Sequence, residues 1–112
     1  IYAASDFYLM PSKFEPCGLS QLIAMRYGSL PVVRATGGLE DTVTGYPLDN
    51  STGFKFWGYD SGSMVDAINC ARYVYKDKYT FNAMRKSAME ADFSWKKSSA
   101  AYLNMYKELS LK

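Results

Sequence analysis

Phe7-Tyr8-Leu9-Met10-Pro11-Ser12-Lys13-Phe14-Glu15-Pro16-Cys17-Gly18-Leu19-Ser20-Gln21-Leu22-Ile23 is the stretch from which the fold is read. The apolar run Phe7 to Met10 stops at Pro11, a short loop carries Glu15 to Gly18, and a helical pattern starts at Leu19. Strand, tight loop and helix leave free backbone N–H groups at the helix N-terminus, where phosphate binds readily. Glu15 sits on that loop. Ionised, it only accepts hydrogen bonds, which suits a ligand rich in hydroxyl donors, such as a sugar. A phosphate cradle beside a hydroxyl reader describes a sugar-nucleotide site.

Working outward, Ile1 to Ala4 read as the end of a helix and Asp6 leads into the first strand. Leu19, Leu22, Ile23 and Arg26 fall on one helical stripe, and Gly28 is placed to end the helix. Pro31-Val32-Val33 is a short strand with Pro at its first position, where a ladder donor can be spared. Both strands are continuous apolar runs, as in a parallel sheet covered on both faces. Strand, helix, strand is therefore a compact right-handed crossover. Thr36-Gly37-Gly38 forms the next loop at a strand's carboxyl end, the edge where open parallel sheets bind ligands. Its backbone can approach a substrate there, although a Gly-Gly pair by itself also fits an ordinary strand-to-helix turn.

Leu39 to Val43 reads as a short turn or helix, Tyr46 to Thr52 as a polar loop, and Phe54-Lys55-Phe56 as a strand at or near the sheet edge. The remainder is helical. Ser63 with Asp66 fits a capping box ahead of Met64, Ile68, Ala71 and Tyr75. Thr80 can cap a helix bearing Phe81, Met84 and Ala88. Ser94 can cap another with Trp95, Ser99, Tyr102, Tyr106 and Leu109 on one stripe. Residues 1–60 thus hold the strand-loop-helix half and 61–112 a helical segment, together one partial domain.

A chain of 112 residues with a net charge of +2 bounds the function further. Its basic residues are scattered, which points to neither nucleic acid nor a membrane surface as partner. No apolar run reaches membrane length. Cys17 and Cys70 form no metal-ligand spacing, and the chain has no histidine, so no metal is expected. Cys70 reads as a small buried thiol on a helix. Cys17 reads as a loop residue packed under the helix, not a nucleophile.

Glu15-Pro16-Cys17-Gly18-Leu19, continued by Gln21-Leu22 and Ala24-Met25-Arg26-Tyr27-Gly28, resembles the signature of bacterial glycogen synthases and plant starch synthases. Pro31-Val32-Val33-Arg34, Thr36-Gly37-Gly38-Leu39 and Asp41-Thr42-Val43 follow at the family's spacing, with Phe93-Ser94-Trp95 and Tyr102 near the end. The resemblance implies an α/β fold: the second half of a Rossmann-like C-terminal lobe in a two-lobed, B-type retaining glycosyltransferase. It also implies that the chain is a fragment, inactive alone, whose missing N-terminal lobe completes the cleft. The implied parent transfers glucose from ADP-glucose to the non-reducing end of an α-1,4-glucan with retention. It needs no cofactor or metal, and is cytoplasmic, or plastidial if it is a plant starch synthase.

The resemblance also assigns roles. Glu15 would meet the donor sugar's hydroxyls and stabilise positive charge at the anomeric carbon. Cys17 and Gly18 would line the glucose, and the amides of Leu19 and Ser20 would hold the distal phosphate. Thr36, Gly37 and Gly38 would approach the substrate through their backbone. Many relatives in the wider glycosyltransferase group carry a second Glu eight residues after the first; here that position is Ile23, as in the glycogen and starch synthases. Two alternatives stay open: a non-catalytic interaction module using the aromatic helix faces, and a sibling transferase with another nucleotide sugar.

Overall fold

Among the described residues, three short strands form one parallel sheet, in the order β1-β2-β3. The structure is a computed structural model and describes residues 2–13, 18–91 and 95–110. A 3-10 turn at Tyr2–Ala4 precedes β1 (Phe7–Met10). Then come α1 (Ser20–Arg26), β2 (Leu30–Arg34), α2 (Gly37–Thr42), β3 (Phe54–Phe56), α3 (Ser61–Lys76), α4 (Lys78–Glu90) and α5 (Trp95–Ser110). β1 spans the residues expected of the first strand, and β3 lies at the sheet edge as expected.

The two faces of the sheet are covered by different helices. Side chains alternate along a strand. Phe54 therefore turns its ring to Phe7, which in turn meets Tyr75 of α3 and Phe81 of α4. Lys55 points the other way and donates to the Glu40 backbone oxygen of α2 at 2.8 Å. Covered on both sides, Leu30 to Val33 are buried throughout, which accounts for their unbroken apolar run. Helix α4 closes the N-terminal edge of the sheet: Arg85 Nε donates to the Gly28 oxygen at 3.1 Å, and Arg26 Nη1 donates to the Met89 oxygen at 3.4 Å. Phe81, 3% exposed, anchors α4, and burial of a ring of that size contributes roughly 1.5–3 kcal/mol.

Helix α1 shows the sheet a different stripe from the one its apolar residues predict. Gln21, Ala24 and Met25 are buried, while Leu19 is 66% and Ile23 41% exposed. Ala24 is small enough for close helix-on-sheet approach, and Gln21 finds polar partners inside. The helix ends at Gly28, as expected, with φ +80, a conformation that a side chain would strain.

Two caps also lie elsewhere than expected. Helix α3 starts at Ser61, and its N-cap is Asp60, whose carboxylate accepts from the Ser63 amide at 2.8 Å and the Ser63 hydroxyl at 2.9 Å. Helix α4 is capped by Asp77, which accepts from the Thr80 amide at 3.4 Å and the Thr80 hydroxyl at 2.7 Å. Ser63 and Thr80 are the third residues of their helices, returning a hydroxyl to the cap. The cap expected at Ser94 lies outside the described residues.

The backbone and side-chain bonds from Ser63 hold the Asp60 carboxyl below its ordinary value, and those from Thr80 hold Asp77 down likewise. A lowered folded-state pKa gives stability that is present above the unfolded value of 3.8 and is lost as pH falls through the folded value. Thermal unfolding followed between neutral pH and pH 2 is expected to show a fall in Tm below about pH 4 that is smaller in Asp60→Asn and Asp77→Asn. An identical acid limb in wild type and both variants would count against the caps.

Among the described residues, β1 pairs on one side only, and α5 is exposed from Ser99 to Ser110. Tyr102, Leu103, Tyr106 and Leu109 are all more than half exposed. An uncovered strand edge and an apolar helix face both favour association. The 112-residue chain by itself is therefore expected to self-associate, with Leu103→Glu plus Tyr106→Glu reducing it. Light scattering that gives a single-chain mass at every concentration would contradict this.

Candidate functional site

At the carboxyl edge of the sheet, β1 and β2 each lead to the start of a helix, the geometry in which backbone amides are presented to a ligand. Gly18 has φ +72 and turns the chain into α1. Leu19 occupies the N-cap, and Ser20 is the first helical residue. Leucine carries no acceptor, so the N-cap residue makes no side-chain cap bond. Beyond β2, Thr36 is the N-cap of α2 and makes no side-chain cap bond; Gly37, at φ +50, and Gly38 form the first turn. The expected Thr36-Gly37-Gly38 loop is thus one residue of loop followed by helix. Helices α3 and α4, by contrast, each carry an aspartate cap.

Gln21 joins the two starts. It is fully buried; its Nε2 donates to the Gly18 oxygen at 2.7 Å and to Thr42 Oγ1 at 3.2 Å. The Thr42 hydroxyl donates in turn to the Gly38 oxygen at 2.7 Å. Gly18 and Gly38, both expected at the site from sequence, are therefore the two ends of one hydrogen-bond chain. Glu15 and Cys17 lie outside the described residues. Gly18, Leu19, Ser20, Thr36, Gly37 and Gly38 are gathered at one edge of the sheet.

A basic and aromatic group stands at the same edge. Arg34, the last residue of β2, donates through Nη1 to the Lys13 oxygen at 2.9 Å, and its guanidinium lies 5.4 Å from the centre of the Tyr59 ring. The Lys13 ammonium is 5.6 Å from that ring. Beside it, Pro11, Phe56, Tyr59, Asp60, Ser61 and Met64 line an open cleft of about 360 Å³. Sequence reading assigned no role to Gln21, Thr42, Arg34 or Tyr59. A polar residue on the helix face opposite Ile23 was the available signal for Gln21.

Cys70 is half-buried on α3, and burial pushes its thiol above the ordinary value, which leaves it un-ionised and chemically quiet. No helix among the described residues is long and apolar enough to cross a membrane.

No protein-family model matches the chain. The chain is 52% identical, over 98% of its length, to a glycogen synthase of Clostridium botulinum, and 51% identical, over 96%, to a glycogen synthase of Exiguobacterium sibiricum. It spans 23% of the length of each of these relatives. Among solved structures, the catalytic domain of starch synthase IV from Arabidopsis thaliana, bound to ADP and acarbose, superposes with a TM-score of 0.82 at 41% identity, covering 96% of this chain and 23% of that one. A sucrose-phosphate synthase from Thermosynechococcus elongatus superposes at 0.70 with 26% identity, covering 98% of this chain and 27% of that one. In sequence and in its parallel α/β architecture, the chain is a relative of the glycogen and starch synthases, matching the C-terminal part of those enzymes.

Proposed function

We propose that this chain is the donor-holding part of a glycogen or starch synthase, a retaining glycosyltransferase that moves glucose from ADP-glucose to the non-reducing end of an α-1,4-glucan. The observation that carries the reading is the start of α1, where Leu19 leaves the first amides without a side-chain cap at the carboxyl edge of a parallel sheet. The glycogen synthase relatives, and the ADP and acarbose in the starch synthase IV structure, support the same class of ligand.

In this reading residues 1–60 form the donor-site half of a Rossmann-like lobe and residues 61–112 its helical segment. The amides of Leu19 and Ser20 hold the distal phosphate with the help of the helix terminus. Cys17 and Gly18 line the glucose, and Thr36, Gly37 and Gly38 approach the donor through their backbone. Glu15 accepts bonds from the sugar hydroxyls and stabilises the positive charge that builds at the anomeric carbon. The helix terminus, with basic groups, balances the diphosphate, so the reaction requires no metal. The parent works in the cytoplasm, or in the plastid if it is of plant origin.

The test is glucose transfer from ADP-glucose to glycogen by the full-length protein, with retention read from the anomeric signal of the new linkage. Transfer with retention is expected there, and none from the 112-residue chain alone. The exposed aromatic face of α5 favours one competing reading, a non-catalytic interaction module. In that case ADP leaves the amide resonances of Gly18, Leu19 and Ser20 unmoved.

A further inference from the structure

We infer that Gln21 and Thr42 are a positioning pair that fixes the distance between the two donor-holding segments, Gly18 to Ser20 and Thr36 to Gly38. The inference rests on the functional reading above, because it concerns how that same site is held. The direction of each bond follows from chemistry. A carbonyl oxygen only accepts, so the 2.7 Å contact at Gly38 O fixes the Thr42 proton on that side. The Thr42 oxygen must then accept from the Gln21 amide at 3.2 Å, while the second amide hydrogen goes to Gly18 O at 2.7 Å. Every link has one allowed sense, and the chain reads Gly18 O, Gln21 Nε2, Thr42 Oγ1, Gly38 O.

The environment makes the pair stiff. Gln21 is 0% exposed, so water offers its amide little alternative, and a buried donor with its partner removed is costly. Ala24 and Met25 on the same face of α1, and Leu39 on α2, are likewise at most 1% exposed. The two helices are short, seven and six residues, and few backbone bonds of their own fix their starts. Among the described residues, this side-chain bridge ties one start to the other. A ligand that touches both meets them at a preset spacing, which is where small displacements weigh heavily on rate.

The experiment uses the full-length enzyme with ADP-glucose and glycogen, comparing Thr42→Val, Thr42→Ser, Gln21→Met and the double variant Gln21→Met/Thr42→Val. Thr42→Val and Gln21→Met are each expected to lower kcat/KM by about tenfold, and the double variant by little more, because both break one chain. Thr42→Ser, which keeps the hydroxyl, is expected to stay within about twofold. Val74→Ala, a core change on α3 away from this edge, serves as the stability control. It is expected to lose as much Tm as Thr42→Val, or more, with kcat/KM unchanged. A Thr42→Val enzyme as active as the Val74→Ala control would overturn the inference while leaving the functional reading intact. Additive losses in the double variant would overturn the coupling between the two residues. A wild-type enzyme with no transfer from ADP-glucose would overturn the functional reading itself.

Discussion

Glu15→Gln in the full-length protein is expected to lower kcat by about two to three orders of magnitude, the scale of removing a preorganised electrostatic group from an active site. Gln keeps the size of the side chain and one acceptor oxygen but loses the negative charge. In the proposed site donor binding relies on several hydroxyl contacts and on the helix terminus, both of which survive. The loss therefore falls on kcat, and KM for ADP-glucose changes less. If the carboxylate merely caps α1, the variant loses some thermal stability and turns over normally. Steady-state kinetics with ADP-glucose separate the two, and wild-type turnover in the Gln variant would place Glu15 among the structural residues.

Ser20→Pro tests the other half of the site. It removes one amide assigned to phosphate, at the first helical position, where proline is accepted by a helix. The expected loss is about 1.5–3 kcal/mol in ADP affinity, the range for a hydrogen bond to a charged group. Leu19, however, has φ −105 and ψ −24, a conformation that a following proline disfavours, so Tm falls as well. Two comparisons isolate the amide. Ser20→Ala removes only the hydroxyl and is expected to bind ADP nearly as wild type does. Adenosine, which has no phosphate, is expected to bind Ser20→Pro and wild type alike. A folded Ser20→Pro enzyme with unchanged ADP affinity would place the phosphate elsewhere.

Strand β2 was legible because a strand buried on both faces has to be apolar at every position, and Leu30 to Val33 are buried throughout. The equally apolar run Phe7 to Met10 gave β1 as well, but that strand is only partly covered, with Leu9 45% exposed at the sheet edge. The caps were half legible. In Asp60-Ser61-Gly62-Ser63 and Asp77-Lys78-Tyr79-Thr80 either end of the four-residue unit can cap a helix, and local pattern does not say which. The structure gives the role to the aspartate, whose two oxygens serve both the amide and the hydroxyl of the third residue. The inner face of α1 was not legible. Over seven residues two neighbouring stripes differ little in periodicity, and the apolar one, with Leu19 and Ile23, is the outer. Inside, Gln21 meets Thr42, 21 positions later, which the crossover brings beside it. That pairing exists in the fold and in no local window. The location of Gly18, Leu19 and Ser20 at the sheet's carboxyl edge was legible, since strand, loop and helix imply it topologically.

The reciprocal arginines of α1 and α4 have a consequence for how the molecule can change. Arg85 serves the Gly28 carbonyl and Arg26 serves the Met89 carbonyl, so the negative poles of both helices meet guanidinium groups at the floor of the sheet. The start of α1, where Leu19 offers no side-chain cap, faces the opposite rim. The guanidinium clasps thus lie at one end of the strands and the proposed donor-holding segments at the other, with the length of β2 between them. Substitutions at the floor can accumulate, altering how well the protein withstands heat or denaturant, without retuning the rim. Substitutions of Gln21 or Thr42 at the rim, by contrast, also loosen the tie between α1 and α2. Change at the floor is thus the freer of the two, because at the rim the same residues fasten the helices and shape the site.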